Sequence, residues 1–167
     1  MALVERIASC ECGKVRFMAM GEPIANAACY CASCQAGGRQ IEDAGARKDF
    51  RDEWGGTPYA IYRDDRLACL EGASLVQGFK LSEDAPSTRY IATCCNSAIY
   101  LKYGPGWWTS VYRVRFGDAA PPLEWRNQVE AVADRAALPD DLPVYGKYPP
   151  KLFWRLMRAR IGSWLRT

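Results

Sequence analysis

Cys29-Tyr30-Cys31-Ala32-Ser33-Cys34-Gln35 places three thiols within six positions. Working outward, Cys10-Glu11-Cys12 lies upstream and Cys94-Cys95 downstream, so seven of the eight cysteines fall into three tight groups separated by strand-like sequence. Thiolate is a soft ligand that suits zinc, and Cys-x-Cys and Cys-x-x-Cys spacings let one turn of backbone aim two sulfurs at a single tetrahedral ion. The chain has no histidine. A zinc ion here is therefore held by sulfur, alone or with a carboxylate or exogenous ligand.

Groups that bracket strands can meet across a sheet, so Cys10 and Cys12 can join Cys94 and Cys95 in one closed, structural four-thiolate site that couples folding to metal. Neighbouring side chains of an extended backbone point to opposite sides, which leaves open a second arrangement in which Cys94 stands aside. Cys29, Cys31 and Cys34 have no obvious fourth partner. Three protein ligands with an open position suit a centre that grips an exogenous molecule, and a thiol completes a four-sulfur shell. Cys69 sits alone in an apolar run and reads as a small buried hydrophobe.

The 167 residues, 49% hydrophobic and 25% charged, allow one domain with a real core. Residues 1–9 lack a cationic start followed by an apolar run, and no long uncharged apolar stretch occurs, so the reading is a cytoplasmic protein without a secretory signal. In a reducing compartment clustered cysteines point to metal or catalysis before disulfides. The net charge of +3 is uneven: residues 151–167 hold five basic groups and no acid, which leaves residues 1–150 at −2. A body of that sign is a poor nucleic-acid surface.

Residues 14–20 alternate polar and apolar at first and predict a strand following Cys12-Gly13, with Gly13 free to adopt the left-handed geometry that turns N–H groups toward sulfur. Residues 35–58 read as a long glycine-rich loop over the thiols, or a mobile connection, with a short helix at 41–50. Strands are predicted at 59–62, 67–70, 75–81, 89–93, 98–103 and 107–116, the spacing of an antiparallel architecture. Asn127 with Glu130 predicts a helix start that Pro139 ends, and 151–165 predicts a basic amphipathic helix with Leu152, Phe153, Leu156, Met157, Ile161, Trp164 and Leu165 on its apolar side.

Cys10-x-Cys12-Gly13-x-Val15-Arg16-Phe17, then Cys29-x-Cys31-x-x-Cys34-x-x-Gly37, then Arg89 ahead of Cys95-Asn96-Ser97, together resemble the glutathione-dependent formaldehyde-activating (GFA, CENP-V-type) family over about residues 8–116. The resemblance implies a mainly β fold, an antiparallel zinc-binding β-tent at 1–118, with a helical C-terminal extension at 119–167 packed on the domain or a partner. It also implies a structural zinc on Cys10, Cys12 and Cys95, and a second zinc on Cys29, Cys31 and Cys34 that meets glutathione and its hydroxymethyl adduct. Two departures stand out. Ala92 occupies the position of one structural cysteine, with Cys94 offered instead, and Tyr30 stands where the family commonly has histidine.

Two functions follow. One is a zinc-dependent carbon–sulfur lyase acting on a small thiol adduct, with Arg39 or Arg89 pairing substrate carboxylates. The other is a non-catalytic zinc module that meets a protein or a membrane surface through the basic tail. The tail's apolar side can equally pack on the sheet or on a second copy in a homo-oligomer.

Overall fold

The structure, a computed structural model, describes residues 4–47 and 49–164. It begins with a hairpin: β1 (Glu5–Ser9) runs antiparallel to β2 (Arg16–Met20), with Ser9 opposite Arg16. Cys10, Cys12 and Gly13 form the turn between them, where Gly13 takes a φ of 77° and the Val15 N–H donates to Cys10 Sγ at 3.3 Å. β5 (Leu67–Glu71) completes this three-stranded sheet on the far side of β2.

The second sheet has seven strands, in the order β10 (Trp125–Asn127), β3 (Ala25–Cys29), β4 (Thr57–Arg63), β9 (Trp108–Tyr112), β8 (Ser97–Tyr103), β7 (Ser87–Ala92) and β6 (Val76–Phe79). Its pairings are antiparallel except at β10, which runs parallel to β3 with Asn127 beside Cys29. One face packs on the small sheet. There Ala8, Ala19 and Ala60 leave room for close approach, and Tyr62, Val111 and Phe116 fill the space between the layers. Burying each of these larger side chains contributes on the order of 2 kcal/mol.

The opposite face carries α1 (Ala32–Asp43), the loop after it and α2 (Pro150–Trp164). Cys34 and Ile41 of α1 pack with Phe50 against Cys29, Tyr59, Ala98 and Tyr112. Leu152 and Leu156 of α2 pack over Ala25, Ala27 and Trp125. The fold is mainly β, with an antiparallel small sheet, a mixed large sheet and a C-terminal helix. No helix among the described residues is long and apolar enough to cross a membrane.

Several sequence expectations change. The 35–58 stretch is not all loop, because α1 starts inside the thiol cluster and already ends at Asp43, where the sequence had placed a short helix over 41–50. Gly37 and Gly38 are helical, and their value is steric. A Cβ on Gly37 would overlap the Arg89 guanidinium, and one on Gly38 would overlap the Arg51 side chain. Each glycine costs a helix about 1 kcal/mol relative to alanine, and close packing offsets that cost. The remaining loop is anchored: Asp52 Oδ1 accepts from the N–H groups of Trp54 and Gly56, and Arg51 pairs with Glu42 at 2.5 Å.

The helix expected from Asn127 to Pro139 is absent. Residues 125–127 are captured as a strand by β3, Gln128 turns left-handed at φ 60°, and only two single 3-10 turns follow. The strand expected over 107–116 stops at Tyr112, where a 3-10 segment sends Phe116 between the sheets and Arg115 toward Asp49. Cys69 is exposed, since β5 is an edge strand whose outer half has no covering layer. In α2 the apolar side is divided: Leu152 is buried, while Phe153, Trp154, Met157 and Ile161 are exposed. Lys151 and Arg155 turn inward over the Trp125 ring, at 4.2 and 5.2 Å. Leu165 lies outside the described residues.

Candidate metal centre

Two clusters of sulfur emerge from these elements. In the first, the β1–β2 turn brings Cys10 and Cys12 against Cys94 and Cys95, with all four Sγ atoms within 4.8 Å of one another. Cys94 Sγ lies 3.3 Å from Cys12 Sγ and 3.8 Å from Cys10 Sγ, so it is part of the cluster. The concern over adjacent cysteines dissolves because both sit in the turn between β7 and β8, which closes with Asn96 at φ 55°, and not in extended backbone. Ala92, for which the resemblance implied the position of a structural cysteine, is a core residue beside Val15 and Ile99. Burial raises the Cys95 thiol, but the Ser97 hydroxyl at 3.0 Å and the backbone N–H groups of Cys12 and Ser97 outweigh it and bring it down to about 6. A four-sulfur set with one member already favoured as thiolate fits a soft divalent metal.

The second cluster lies at the junction of β3 and α1. Cys29 ends the strand, Cys31 is the N-cap of the helix, and Cys34 sits in its first turn, so a strand-to-helix corner converges the three Sγ atoms to within 4.8 Å. The Cys34 N–H donates to Cys31 Sγ at 3.4 Å. Hydrogen bonds from Cys29 and Cys34, then this backbone N–H, hold the Cys31 thiol far below its ordinary range. Helix N-termini favour thiolate for the same reason. Two tyrosines approach from the sides: Tyr59 OH is 3.8 Å from Cys34 Sγ, and Tyr148 OH is 4.0 Å from Cys29 Sγ. Burial, followed by the charge of the thiols, pushes both phenols up, so they remain protonated at neutral pH. No fourth cysteine, aspartate or glutamate joins the group among the described residues. The donor set, three converging sulfurs at a helix N-terminus, fits a soft metal with one position left for another ligand.

Arg89 is 1% exposed and lies under α1, where its Nη2 donates to the Ser33 carbonyl at 2.6 Å and the Ser33 hydroxyl at 2.9 Å. Its Nε and Nη1 have no hydrogen-bond partner. The neighbouring Cys34 thiol is pushed up to about 11: the hydrogen bond with Cys29 pulls it down, but the hydrogen bond with Cys31 and burial outweigh that, and the Arg89 charge offsets only a small part of the rise. Arg39 is exposed on the side of α1 turned away from Cys34. Tyr30 also points away from the sulfurs: its hydroxyl donates to Asp52 Oδ2 at 2.5 Å and accepts from Arg126 Nε at 3.2 Å. It therefore ties the loop to β10.

A cavity of about 400 Å³ opens beside this second cluster, with Cys29, Cys34, Tyr59, Asn127 and Tyr148 in its wall and Leu152, Phe153 and Leu156 of α2 covering it. Asn127 is 2% exposed, and its Oδ1 has no hydrogen-bond partner. Sequence reasoning named Cys29 and Cys34 but missed Tyr59, Asn127 and Tyr148 as wall residues. Tyr148 stands in a proline-rich connector and Asn127 in a segment read as a helix cap, and neither position carries a local signal for the cavity.

The sequence profile of the glutathione-dependent formaldehyde-activating enzyme family, GFA, matches residues 5–135. The chain belongs to the GFA family. The match includes all seven clustered cysteines of this GFA member and excludes Tyr148 and α2. No curated protein matches it. A crystal structure of a Rhodobacter sphaeroides protein, a structural-genomics target, is similar at 14% identity and a TM-score of 0.49, covering 83% of this chain and 98% of that one.

Proposed function

We propose that this GFA protein is a zinc-dependent carbon–sulfur lyase acting on a small thiol adduct of the S-hydroxymethyl type. The observation that carries this reading is a set of three sulfurs, without a fourth protein donor among the described residues, two of them in the wall of a cavity. Cys29, Cys31 and Cys34 would hold the catalytic zinc, while Cys10, Cys12, Cys94 and Cys95 would hold a structural one. Bound at the three-thiol site, zinc supplies a position where the substrate sulfur is stabilised as thiolate.

In the cleavage direction the adduct hydroxyl loses its proton, its electrons form the carbonyl of an aldehyde, and the carbon–sulfur bond pair leaves with the sulfur. No carboxylate or amine lines the cavity, so the proton passes to water. Tyr59 and Tyr148, kept protonated, donate hydrogen bonds toward the sulfurs. Arg89 is a buried positive charge that offsets the thiolates, acting as a positioning residue through Ser33 and α1.

The test is a metal count on chelator-free protein together with exchange spectroscopy on a mixture of formaldehyde and thiol. Two zinc ions per chain and exchange that Cys31→Ser abolishes support the reading. Exchange that is indifferent to Cys31→Ser would sink it.

The exposed row Phe153, Trp154, Met157 and Ile161 favours a second reading, a zinc module that meets a lipid or protein surface through α2. Flotation with anionic vesicles separates the two, since a purely enzymatic chain stays unbound.

A further inference from the structure

We propose that the cavity beside Cys29 and Cys34 takes an uncharged, apolar thiol, or the hydroxymethyl adduct of one, in preference to a charged peptide thiol. The inference rests on the reading of Cys29, Cys31 and Cys34 as a thiol-binding centre, and it names the class of thiol. Two of the three sulfurs stand in the cavity wall, so this space gives a ligand direct access to the centre.

The space has no charged lining side chain. Glutathione carries two carboxylates and an ammonium group, and a lining that includes Ile61, Leu101, Trp108, Leu152, Phe153 and Leu156 offers them no counter-charge. A charge moved from water to such a wall without a partner is strongly disfavoured. Neither Arg39 nor Arg89 lines the cavity, and Arg89 lies buried under α1, with its Nη2 donating to Ser33. The polar groups at hand are few and neutral. Asn127, with an unpartnered Oδ1, provides an acceptor for one ligand hydroxyl, the number an S-hydroxymethyl adduct carries. An aromatic or aliphatic thiol gains instead from every apolar contact with the sheet floor and with α2.

The cover belongs to α2, outside the 5–135 segment that matches the family. Specificity is therefore assigned in part to residues outside the matched segment, with Phe153 the most accessible of the α2 side chains that line the cavity, at 55% exposure.

The full chain, loaded with cobalt(II), is titrated with benzyl mercaptan, 2-mercaptoethanol and glutathione while the sulfur-to-cobalt absorption is followed. The four-sulfur cluster is already complete and contributes a constant background. Benzyl mercaptan should half-saturate the change at a concentration at least about tenfold below glutathione, because only glutathione carries charges into the cavity. Phe153→Ala should raise the benzyl mercaptan midpoint by about fivefold and leave 2-mercaptoethanol, too small to reach α2, unchanged. Glutathione binding as tightly as benzyl mercaptan, or Phe153→Ala weakening both small thiols equally, overturns the inference while the thiol-binding centre stands. Silence toward all three thiols removes both.

Discussion

The two sulfur clusters use the same ligand in opposite settings. Cys10, Cys12, Cys94 and Cys95 join two turns from distant parts of the chain, at the edge where the small sheet meets β7 and β8, with Cys12 exposed. Cys29, Cys31 and Cys34 come from one strand-to-helix corner, with Cys29 and Cys34 buried and a cavity alongside. Four sulfurs close a coordination shell, and three leave it open. A closed shell that bridges elements adds to stability, whereas an open shell made by a single corner adds little to the fold and is free to meet a ligand.

Removing metal tests this most strongly. Chelation should abolish a cooperative melting transition followed by circular dichroism, since structural zinc contributes on the order of 10 kcal/mol in small sulfur-ligated domains. Retention of the same midpoint without metal breaks the comparison. Cys10→Ser should cost roughly 3 kcal/mol or more in urea unfolding, against roughly 1 for Cys31→Ser, because only the former unties separate elements. Equal losses would erase the distinction between a structural and an open site. Gly37→Ala sharpens the second half: although alanine favours a helix, the clash with Arg89 should lower stability by about 1–3 kcal/mol and weaken thiol binding through a displaced α1. A stabilised variant would show that Arg89 does not pack as described.

The smallest effect expected is on chemistry at Tyr30. Tyr30→Phe removes the donor to Asp52 and the acceptor from Arg126, a loss of about 1–2 kcal/mol by denaturant titration. Cobalt spectra and thiol midpoints should be unchanged, because the hydroxyl faces away from the sulfurs. A shifted midpoint would place Tyr30 in the site after all.

The contrast also marks where local sequence carries information. Cys29, Cys31 and Cys34 are legible as a cluster because chelation over a few residues is a property of the backbone itself. The left-handed turn at Gly13 and the antiparallel character of the strands were legible for the same reason. Pairing between Cys10–Cys12 and Cys94–Cys95 could be read from grouping, but the participation of Cys94 depended on the turn that Asn96 closes. α1 was hidden by Gly37 and Gly38, whose purpose is visible only once Arg89 and Arg51 lie on them. β10 was mistaken for a helix start because its partner, β3, lies about a hundred residues earlier and outbids local propensity through the sheet.

By itself the sequence determined the grouping of sulfur donors that could hold a metal and a mainly β architecture, since these follow from ligand type and from patterns only a few residues long. Tertiary structure alone decided which sulfurs share a centre, that Tyr30 is structural, and that Tyr148, Asn127 and α2 complete a cavity beside the open site. Those outcomes depend on contacts between residues far apart in the chain, and no local spacing encodes them.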